Sequence, residues 1–308
     1  MSTFKTVLPY IISGISVGGQ YALIAIGYTM VYGILRLINF AHGDVFMVAG
    51  LMMVYLAASL PLTVAIPIMI VSTVILGFVI ERVAYKPLRT APRISVMISA
   101  IGVSYLLQNL ALYITGGLNK NYPTIPWISD SVNVLGMDTT RVTVITPFLT
   151  LILVVLLVWF IKRTKIGMAM RAVSKDFETA QLMGIKINSV ISATFIIGTF
   201  LAAVASLLFF SNYPGVVPTS GGMPGLKAFV AAVFGGIGSI PGAVIGAFII
   251  GICESIIKGL DTVLITQGAI TEQIGFATFS DAFTFVLLII VLVFKPTGLF
   301  GEKTTDKL

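Results

Sequence analysis

Long runs without any charged side chain constrain this chain more than any other feature. The stretches Val7–Leu35 and Val45–Ile80 hold no Asp, Glu, Lys or Arg, and further uncharged runs follow them. About 20 consecutive apolar residues cross the hydrocarbon core of a bilayer as a helix, so the second stretch is long enough for two crossings. Leu60 and Pro61 lie near its middle and predict the turn between those crossings. The sequence therefore predicts a protein built from membrane helices.

The composition agrees with that interpretation and limits the class of protein. The chain of 308 residues is 57% hydrophobic and only 10% charged, with a mean hydropathy of +1.04. Soluble domains do not reach such values, so we expect one all-α, polytopic membrane domain over residues 1–308. Cys253 is the only cysteine, which excludes an internal disulfide. The net charge of +7 does not indicate nucleic-acid binding, because the basic residues are distributed among loops.

The apolar runs predict eight or nine transmembrane helices. The later runs are Ile94–Gly116, Val142–Ile161, Asn188–Ser211, Leu226–Lys258 and Ala282–Phe294. Nine crossings result if Leu226–Lys258 crosses twice, and eight if its first half is re-entrant. Most of the 19 lysine and arginine residues then fall in loops on one side, which the positive-inside rule makes cytoplasmic. With nine crossings the N-terminus lies outside and the C-terminus in the cytoplasm.

The charged segment Lys162–Gly184 is unlike an ordinary loop, because it carries five of the 19 basic residues and still has the pattern of helices. Asp176 is a suitable N-cap for a short second helix, and Gly184 fits the left-handed position just past its end. Phe177 and Ala180 lie at helical spacing and give this helix an apolar face. A basic amphipathic helix pair of this kind either lies on the lipid surface or docks a partner protein, and we expect docking.

The sequence holds no motif for an energy source or a reactive centre. The phosphate-binding pattern G-x-x-x-x-G-K-[ST] does not occur, so we expect no ATP hydrolysis by this chain. His42 is the only histidine, and no cluster has the spacing of metal ligands, which argues against an intramembrane enzyme. The long spans look bare of ionisable relays, and Glu254 and Lys258 are expected to pair with each other at the interface. A carrier coupled to protons or sodium therefore finds little support.

Two glycine-rich breaks interrupt the apolar runs, at Asn39–Gly43 and at Gly235–Gly242. Irregular backbone at membrane depth survives where it is buried in protein or lines a watery cavity, and paired breaks are a frequent mark of a transport path. The alternative is that the glycines only let helices pack closely, as the spacing of Gly14 and Gly18 also suggests. We expect path or gate structure from the segments as wholes.

Four pieces of sequence together resemble a known family: Tyr21–Tyr28 (YALIAIGY), Asn39–Asp44 (NFAHGD), Glu81–Arg89 (ERVAYKPLR) and Gly235–Ala243 (GGIGSIPGA). Their order and spacing are similar to those of the LivH-type permease of the bacterial branched-chain amino-acid ABC importer. The resemblance covers nearly the whole chain. Within it, Glu178–Gly184 resembles the E-A-A-x-x-x-G coupling motif of ABC permeases, with threonine in place of the central alanine.

The resemblance implies a division of labour among several chains. A LivM-like second permease would complete the path, two cytoplasmic ATPases would bind the ATP, and a periplasmic or lipid-anchored binding protein would deliver leucine, isoleucine or valine. This chain would lie in the bacterial inner membrane, without a cofactor, metal or catalytic residue of its own. A urea or amide permease of the same family is the alternative substrate class, and a stand-alone ion-coupled carrier or channel is the alternative class of protein.

Two sets of residues are predicted to carry the function. The cytoplasmic coupling loop 162–188 would contact the ATPase through Arg171, Ala172, Val173, Lys175, Asp176, Phe177, Glu178, Ala180 and Gly184. The translocation path or gate is assigned from polarity in bare spans and from the glycine breaks to Gln20, Tyr21, Asn39, His42, Gly235, Gly236, Gly238 and Pro241.

Overall fold

The computed structural model describes residues 2–89, 91–134, 137–266, 274–295 and 297–301. Over these residues the chain forms helices joined by short connections, with four brief strands. The helices are α1 (Ser2–Leu35), α2 (His42–Ala57), α3 (Leu62–Ile80), α4 (Arg93–Thr115), α5 (Pro126–Ser129), α6 (Arg141–Arg163), α7 (Lys165–Lys175), α8 (Phe177–Leu182), α9 (Ile187–Asn212), α10 (Gly222–Gly235), α11 (Ile240–Thr266) and α12 (Phe276–Phe294). The strands are β1 (Lys120–Asn121), β2 (Ser131–Val134), β3 (Met137–Thr140) and β4 (Gly215–Val216).

Seven of the helices in the described part of the chain are long and apolar enough to cross a membrane: α1, α3, α4, α6, α9, α11 and α12. Two shorter apolar helices, α2 and α10, have 16 and 14 residues. Both are shorter than the roughly 20 residues of a full crossing. The prediction of an all-α, polytopic membrane protein is confirmed, and the predicted eight or nine helices correspond to the seven long and two short ones.

The sequence predicts a loop between the runs Leu226–Lys258 and Ala282–Phe294, and both predicted ends of that loop are wrong. Helix α11 continues to Thr266 and α12 begins at Phe276, so Asp261 and Asp281 lie inside helices. The Asp261 carboxylate accepts hydrogen bonds from the backbone N–H groups of residues 274, 275 and 276, at 3.0, 3.1 and 3.0 Å. These amides precede or begin α12 and have no carbonyl partner within the helix. The aspartate therefore caps the next helix, and Glu272 of the same predicted loop lies outside the described residues.

Helix α1 is the centre of the molecule. Every side chain from Ala22 to Ile26 is fully buried, and the helix packs between α9 and α11. Its approach to α11 is close: a β-carbon on Gly14 would lie 2.7 Å from Cα of Ile252, and one on Gly251 would lie 2.5 Å from Cα of Gly18. Only glycine allows two helices to come this near. The packing interpretation of Gly14 and Gly18 is thus confirmed.

Two pairs of short strands lie within the connections between helices, at one end of the bundle. Strand β1 pairs antiparallel with β4, and β2 pairs antiparallel with β3. Pro9 and Ile12, near the start of α1, line a small cavity with Asp138 and Thr139 of the β2–β3 hairpin. The start of α1 therefore lies at the same end as the hairpin. The charged segment α7–α8 follows α6 at the opposite end of the bundle. The strands and this segment therefore lie at opposite ends along the membrane axis.

Candidate translocation and coupling site

The segment between α6 and α9 forms the predicted pair of capped helices. The Thr164 hydroxyl accepts a hydrogen bond from the Gly167 backbone N–H at 3.0 Å and caps α7. Asp176 caps α8, because its carboxylate accepts the backbone N–H of Thr179 at 3.0 Å and the Thr179 hydroxyl at 2.7 Å. Gly184 has φ +82°, the left-handed conformation that favours glycine after a helix. The two caps fix the angle between α7 and α8.

The predicted coupling residues divide between two faces of this segment. Val173 and Ala180 are buried within the chain, together with Met170, so they hold α7 and α8 against α9 and the rest of the bundle. The other predicted residues are exposed: Arg171, Ala172, Lys175, Asp176, Phe177, Glu178 and Gly184. Leu182 and Met183 join them, with 86% and 78% of their surface exposed. The exposed large apolar side chains of the segment are thus Ile166, Met168, Phe177, Leu182 and Met183.

One polar contact joins the coupling segment to the end of α1, and another joins the end of α3 to α9. The Arg36 guanidinium, just after α1, donates to the Ser174 carbonyl at 3.2 Å. Buried Glu81 accepts from Arg89 and, at 2.8 Å, from the Ser192 hydroxyl near the start of α9. Partial burial lowers the pKa of Arg89, and the charge of Glu81 opposes that effect. The first contact thus ties the segment to the end of α1, and the second ties the end of α3 to the start of α9.

The first predicted break places its polar residues inside the protein. The Asn39 side chain accepts a hydrogen bond of 2.6 Å from the Tyr85 hydroxyl. The His42 ring opens α2 with 1% of its surface exposed, and its Nε2 has no hydrogen-bond partner among the described residues. The ring lies against Gly27: a β-carbon there would be 2.1 Å from Nε2. The ring also forms a hydrogen bond with the backbone of Ile24, so that bond and close packing hold it in place.

The two short helices begin next to each other. A β-carbon on Gly43 would lie 2.7 Å from the Gly221 carbonyl oxygen and 3.0 Å from Cα of Gly225. Asp44, in the first turn of α2, accepts from Ser104 at 2.5 Å and from Gln108 at 3.0 Å, both on α4. The side chain thus links the first turn of α2 to α4.

The second predicted break is a close-packed turn. Gly236 and Gly238 have φ +106° and +98°, and the amides of Leu299 and Phe300 donate to carbonyls at the end of α10, at 2.9 Å each. A β-carbon on Gly236 would lie 2.4 Å from the Gly301 nitrogen. Gly235 is buried in this turn, whereas Gly238 and Pro241 are exposed. The turn lies where the chain emerges from α12, at the end of a membrane span, and its role as a gate stays a prediction.

A cluster of charged side chains lies among α1, α10, α11 and α12. Lys227 Nζ is 2.7 Å from Glu254 Oε1 and 2.5 Å from Asp281 Oδ1, and Lys258 Nζ is 2.5 Å from Glu254 Oε1. The Tyr21 hydroxyl donates to Glu254 Oε2 at 3.0 Å. The expected pair of Glu254 and Lys258 is confirmed. The prediction that the spans are bare of ionisable groups is wrong.

Two further polar residues, Gln20 and Tyr213, belong to the description of the site. Gln20, the remaining predicted path residue, is fully buried and donates to the Leu208 carbonyl at 3.4 Å, while its Oε1 has no partner among the described residues. Tyr213, just beyond the end of α9, lies near the charged cluster: burial raises the pKa of its phenol, and the charge of Glu254 raises it further. No group of three potential metal ligands occurs over the residues that the structure describes.

The family of the chain follows from comparison with known proteins. The family model described as branched-chain amino acid transport system, permease component, matches residues 10–292. The chain belongs to this permease family. The high-affinity branched-chain amino acid permease LivH of Salmonella typhimurium is 39% identical over 318 residues, covering 99% of this chain and 98% of the relative. BraD of Pseudomonas aeruginosa is 38% identical, covering 97% of each chain, and LivH of Escherichia coli is 36% identical, covering 99% and 98%. The predicted resemblance is confirmed.

The permease holds three buried charged groups whose importance was missed from the sequence: Lys227, Asp44 and Glu81. Lys227 interrupts an otherwise apolar run that also contains Glu254, and two opposite charges in paired runs are a signal for a buried ion pair. Asp44 directly follows a break, where a helix start favours an acidic residue. Glu81 looked like the first residue of a basic loop, because the extension of α3 by a π-helical turn, Glu81–Tyr85, leaves no trace in the pattern.

Proposed function

We propose that the chain is the membrane-spanning permease subunit of an ATP-driven importer for leucine, isoleucine and valine in the bacterial inner membrane. The observation that carries the proposal is the coupling segment: a capped helix pair, anchored on one face to the chain's own helices, with large apolar side chains exposed on the other. Exposed apolar surface beside water marks an interaction site. Its basic character supports a cytoplasmic location, and in the proposed topology the C-terminus lies on the same side.

The partners are those of an ABC importer. Two ATPase subunits bind the ATP and receive Phe177, Leu182 and Met183 in a groove, while Arg171 and Glu178 set the charge register. A LivM-like permease completes the path, and a binding protein delivers the amino acid on the outer side. This chain supplies neither a cofactor nor a catalytic group. The names of LivH and BraD, which specify branched-chain amino acid transport, support the substrate class.

Coupling then follows from the connections of the segment. Val173 and Ala180 fix α7 and α8 to the bundle, so the pair moves as a lever with α9 and not as a free loop. Arg36 ties the same segment to the end of α1, the helix that packs against α11. Movement of the ATPases on nucleotide binding therefore changes the angle between α1, α9 and α11. Such a change moves the permease between inward-open and outward-open arrangements.

The proposal is tested with the complete complex in proteoliposomes. Uptake of labelled leucine is measured with a leucine-loaded binding protein outside and ATP or no nucleotide inside. Phe177→Asp introduces a charge at the apolar docking face and should abolish most uptake while the chain remains in the membrane. Leu118→Asp makes the same kind of change at an exposed position of the opposite end and serves as the matched control.

Each outcome has a distinct meaning. ATP-dependent leucine uptake that Phe177→Asp abolishes and Leu118→Asp preserves supports the proposal. Uptake of urea or short amides in place of leucine would favour the alternative substrate class. Uptake by the chain alone, without ATPase subunits or nucleotide, would identify an ion-coupled carrier or a channel and refute the proposal.

A further inference from the structure

The charged cluster formed by Tyr21, Lys227, Glu254, Lys258 and Asp281 is not used by the coupling mechanism. Lys227 lies five residues into α10, Glu254 near the middle of α11 and Asp281 five residues into α12. Each charge inside a membrane span is costly, and such groups mark functional sites by default. A buried ion pair adds little net stability compared with apolar residues of the same volume. The cluster therefore calls for a functional explanation.

Its members differ in how far they are shielded. The side chains of Lys227 and Glu254 are 6% and 2% exposed, whereas those of Lys258 and Asp281 are 47% and 42% exposed. The inner pair joins the outer two, because Lys227 contacts Asp281 and Glu254 contacts Lys258. Lys258 and Asp281 are thus the exposed cationic and anionic members of the cluster, and both contact the buried pair of Lys227 and Glu254.

We propose that Lys258 and Asp281 bind the charged head group of a zwitterionic α-amino acid as it passes through the permease. The Lys258 ammonium donates hydrogen bonds to the substrate carboxylate, and the Asp281 carboxylate accepts hydrogen bonds from the substrate ammonium group. This assignment rests on the proposed import of branched-chain amino acids.

The geometry suits that ligand. Three consecutive contacts of 2.5, 2.7 and 2.5 Å link Lys258 Nζ to Asp281 Oδ1 through Glu254 and Lys227. The three contacts set an upper limit on the separation of these two atoms, and an amino acid's ammonium and carboxylate can bridge a gap within that limit, with a charge-assisted hydrogen bond of about 2.8 Å at each end. The balanced cluster, with two acidic and two basic members, has no net charge to repel or trap a zwitterion.

The site also lowers the free-energy cost of moving the zwitterionic substrate out of water. A zwitterion that leaves water loses the hydration of both charges, and that loss is offset only where opposite charges are already in place. Glu254 and Lys227 hold those charges in position before the substrate arrives. The apolar side chain of the substrate needs no polar partner, so this site recognises the head group common to all amino acids. Discrimination among side chains is left to the binding protein and the rest of the path.

The test uses the complete complex in proteoliposomes, with saturating leucine-loaded binding protein outside and ATP inside. The measured quantity is leucine transported per ATP hydrolysed. Asp281→Asn and Lys258→Gln each remove one head-group contact while leaving the buried pair of Lys227 and Glu254. We expect each variant to reduce the ratio at least tenfold, with stimulated ATP hydrolysis retained. Asp281→Glu keeps the negative charge, so it should retain part of the transport that Asp281→Asn loses.

A matched control and two contrary outcomes complete the test. Asp130→Asn, which removes a carboxylate from the exposed pair with Arg141 at the end of the bundle, should leave the ratio unchanged. If the wild-type complex imports leucine and both cluster variants keep its ratio, the head-group site is refuted and the proposed function stands. Loss of co-purification with the partner chains in both variants would show that these charges hold the complex together, and would also refute the site. Absence of ATP-driven leucine uptake by the wild-type complex would refute the proposed function itself.

Discussion

The contact between Gly27 and His42 allows a quantitative prediction for Gly27→Ala. The added β-carbon would lie 2.1 Å from Nε2, 2.5 Å from Cε1 and 3.1 Å from Cδ2 of the ring, all far inside van der Waals contact. The ring cannot easily retreat, because Tyr28 packs edge-on against it at 5.0 Å and Gly198 of α9 lies behind Cε1. Overpacking of this kind costs about 1–3 kcal/mol.

Two further variants separate the overpacking cost from the helix preference of alanine. Replacing glycine by alanine inside a helix gains up to about 1 kcal/mol, so Gly27→Ala should be about 1–3 kcal/mol less stable than the same change at an uncrowded position of the helix. Gly33→Ala in the same helix has no atom within 4 Å of the new carbon and should be neutral or stabilising. The double change of Gly27→Ala with His42→Ala removes the clash and should cost less than the sum of the two single changes.

The assay uses the single cysteine of the chain. Cys253 is partly buried in α11, and unfolding exposes it to a thiol-reactive dye, which reports the melting temperature of the purified protein in detergent. We expect the melting temperature of Gly27→Ala to fall below those of the wild type and Gly33→Ala. A Gly27→Ala protein that melts with Gly33→Ala, or a double variant whose loss equals the sum of the single losses, would refute the tight contact between α1 and His42.

Two other predictions concern the turn after α10 and the start of α2. Gly236→Ala should lower the melting temperature more than Gly238→Ala does, because both glycines have positive φ but only Gly236 also contacts the backbone of residue 301; equal effects would contradict that contact. Tyr85→Phe removes the hydrogen bond of 2.6 Å to Asn39 and should cost about 1 kcal/mol, whereas Tyr113→Phe, at an exposed position, should cost nothing measurable in the same melting assay.

Much of the fold was predictable because charge and hydropathy alone determine where membrane helices begin and end. The turn at residues 58–61 follows from Leu60 and Pro61, and the caps at Asp176 and Gly184 follow from local backbone chemistry. These features depend on neighbours in sequence. The extent of α11 past Lys258 was not predictable in this way, because Asp261 serves the backbone of a segment thirteen or more residues further on.

The candidate site was less predictable, since its contacts join distant parts of the chain. Lys227 meets Glu254 and Asp281 only after three helices have packed together, and the sequence shows each of them as an isolated charge near the end of a run. The pattern of Phe177 and Ala180 correctly indicates an amphipathic helix. It does not show which face the chain itself covers, and burial of Ala180 decides that question.

The central claim is that the segment α7–α8 docks a separate cytoplasmic ATPase, and one cross-linking measurement tests it directly. Leu182→Cys in a Cys253→Ser background places a single thiol on the most exposed apolar position of the segment. In vesicles that contain the complete complex, a short thiol-directed cross-linker should join residue 182 to the ATPase subunit, and a membrane-impermeant thiol reagent applied from outside should not modify it. Labelling of residue 182 from the outer side, or full ATP-dependent leucine uptake with no cross-link to the ATPase, would contradict the account.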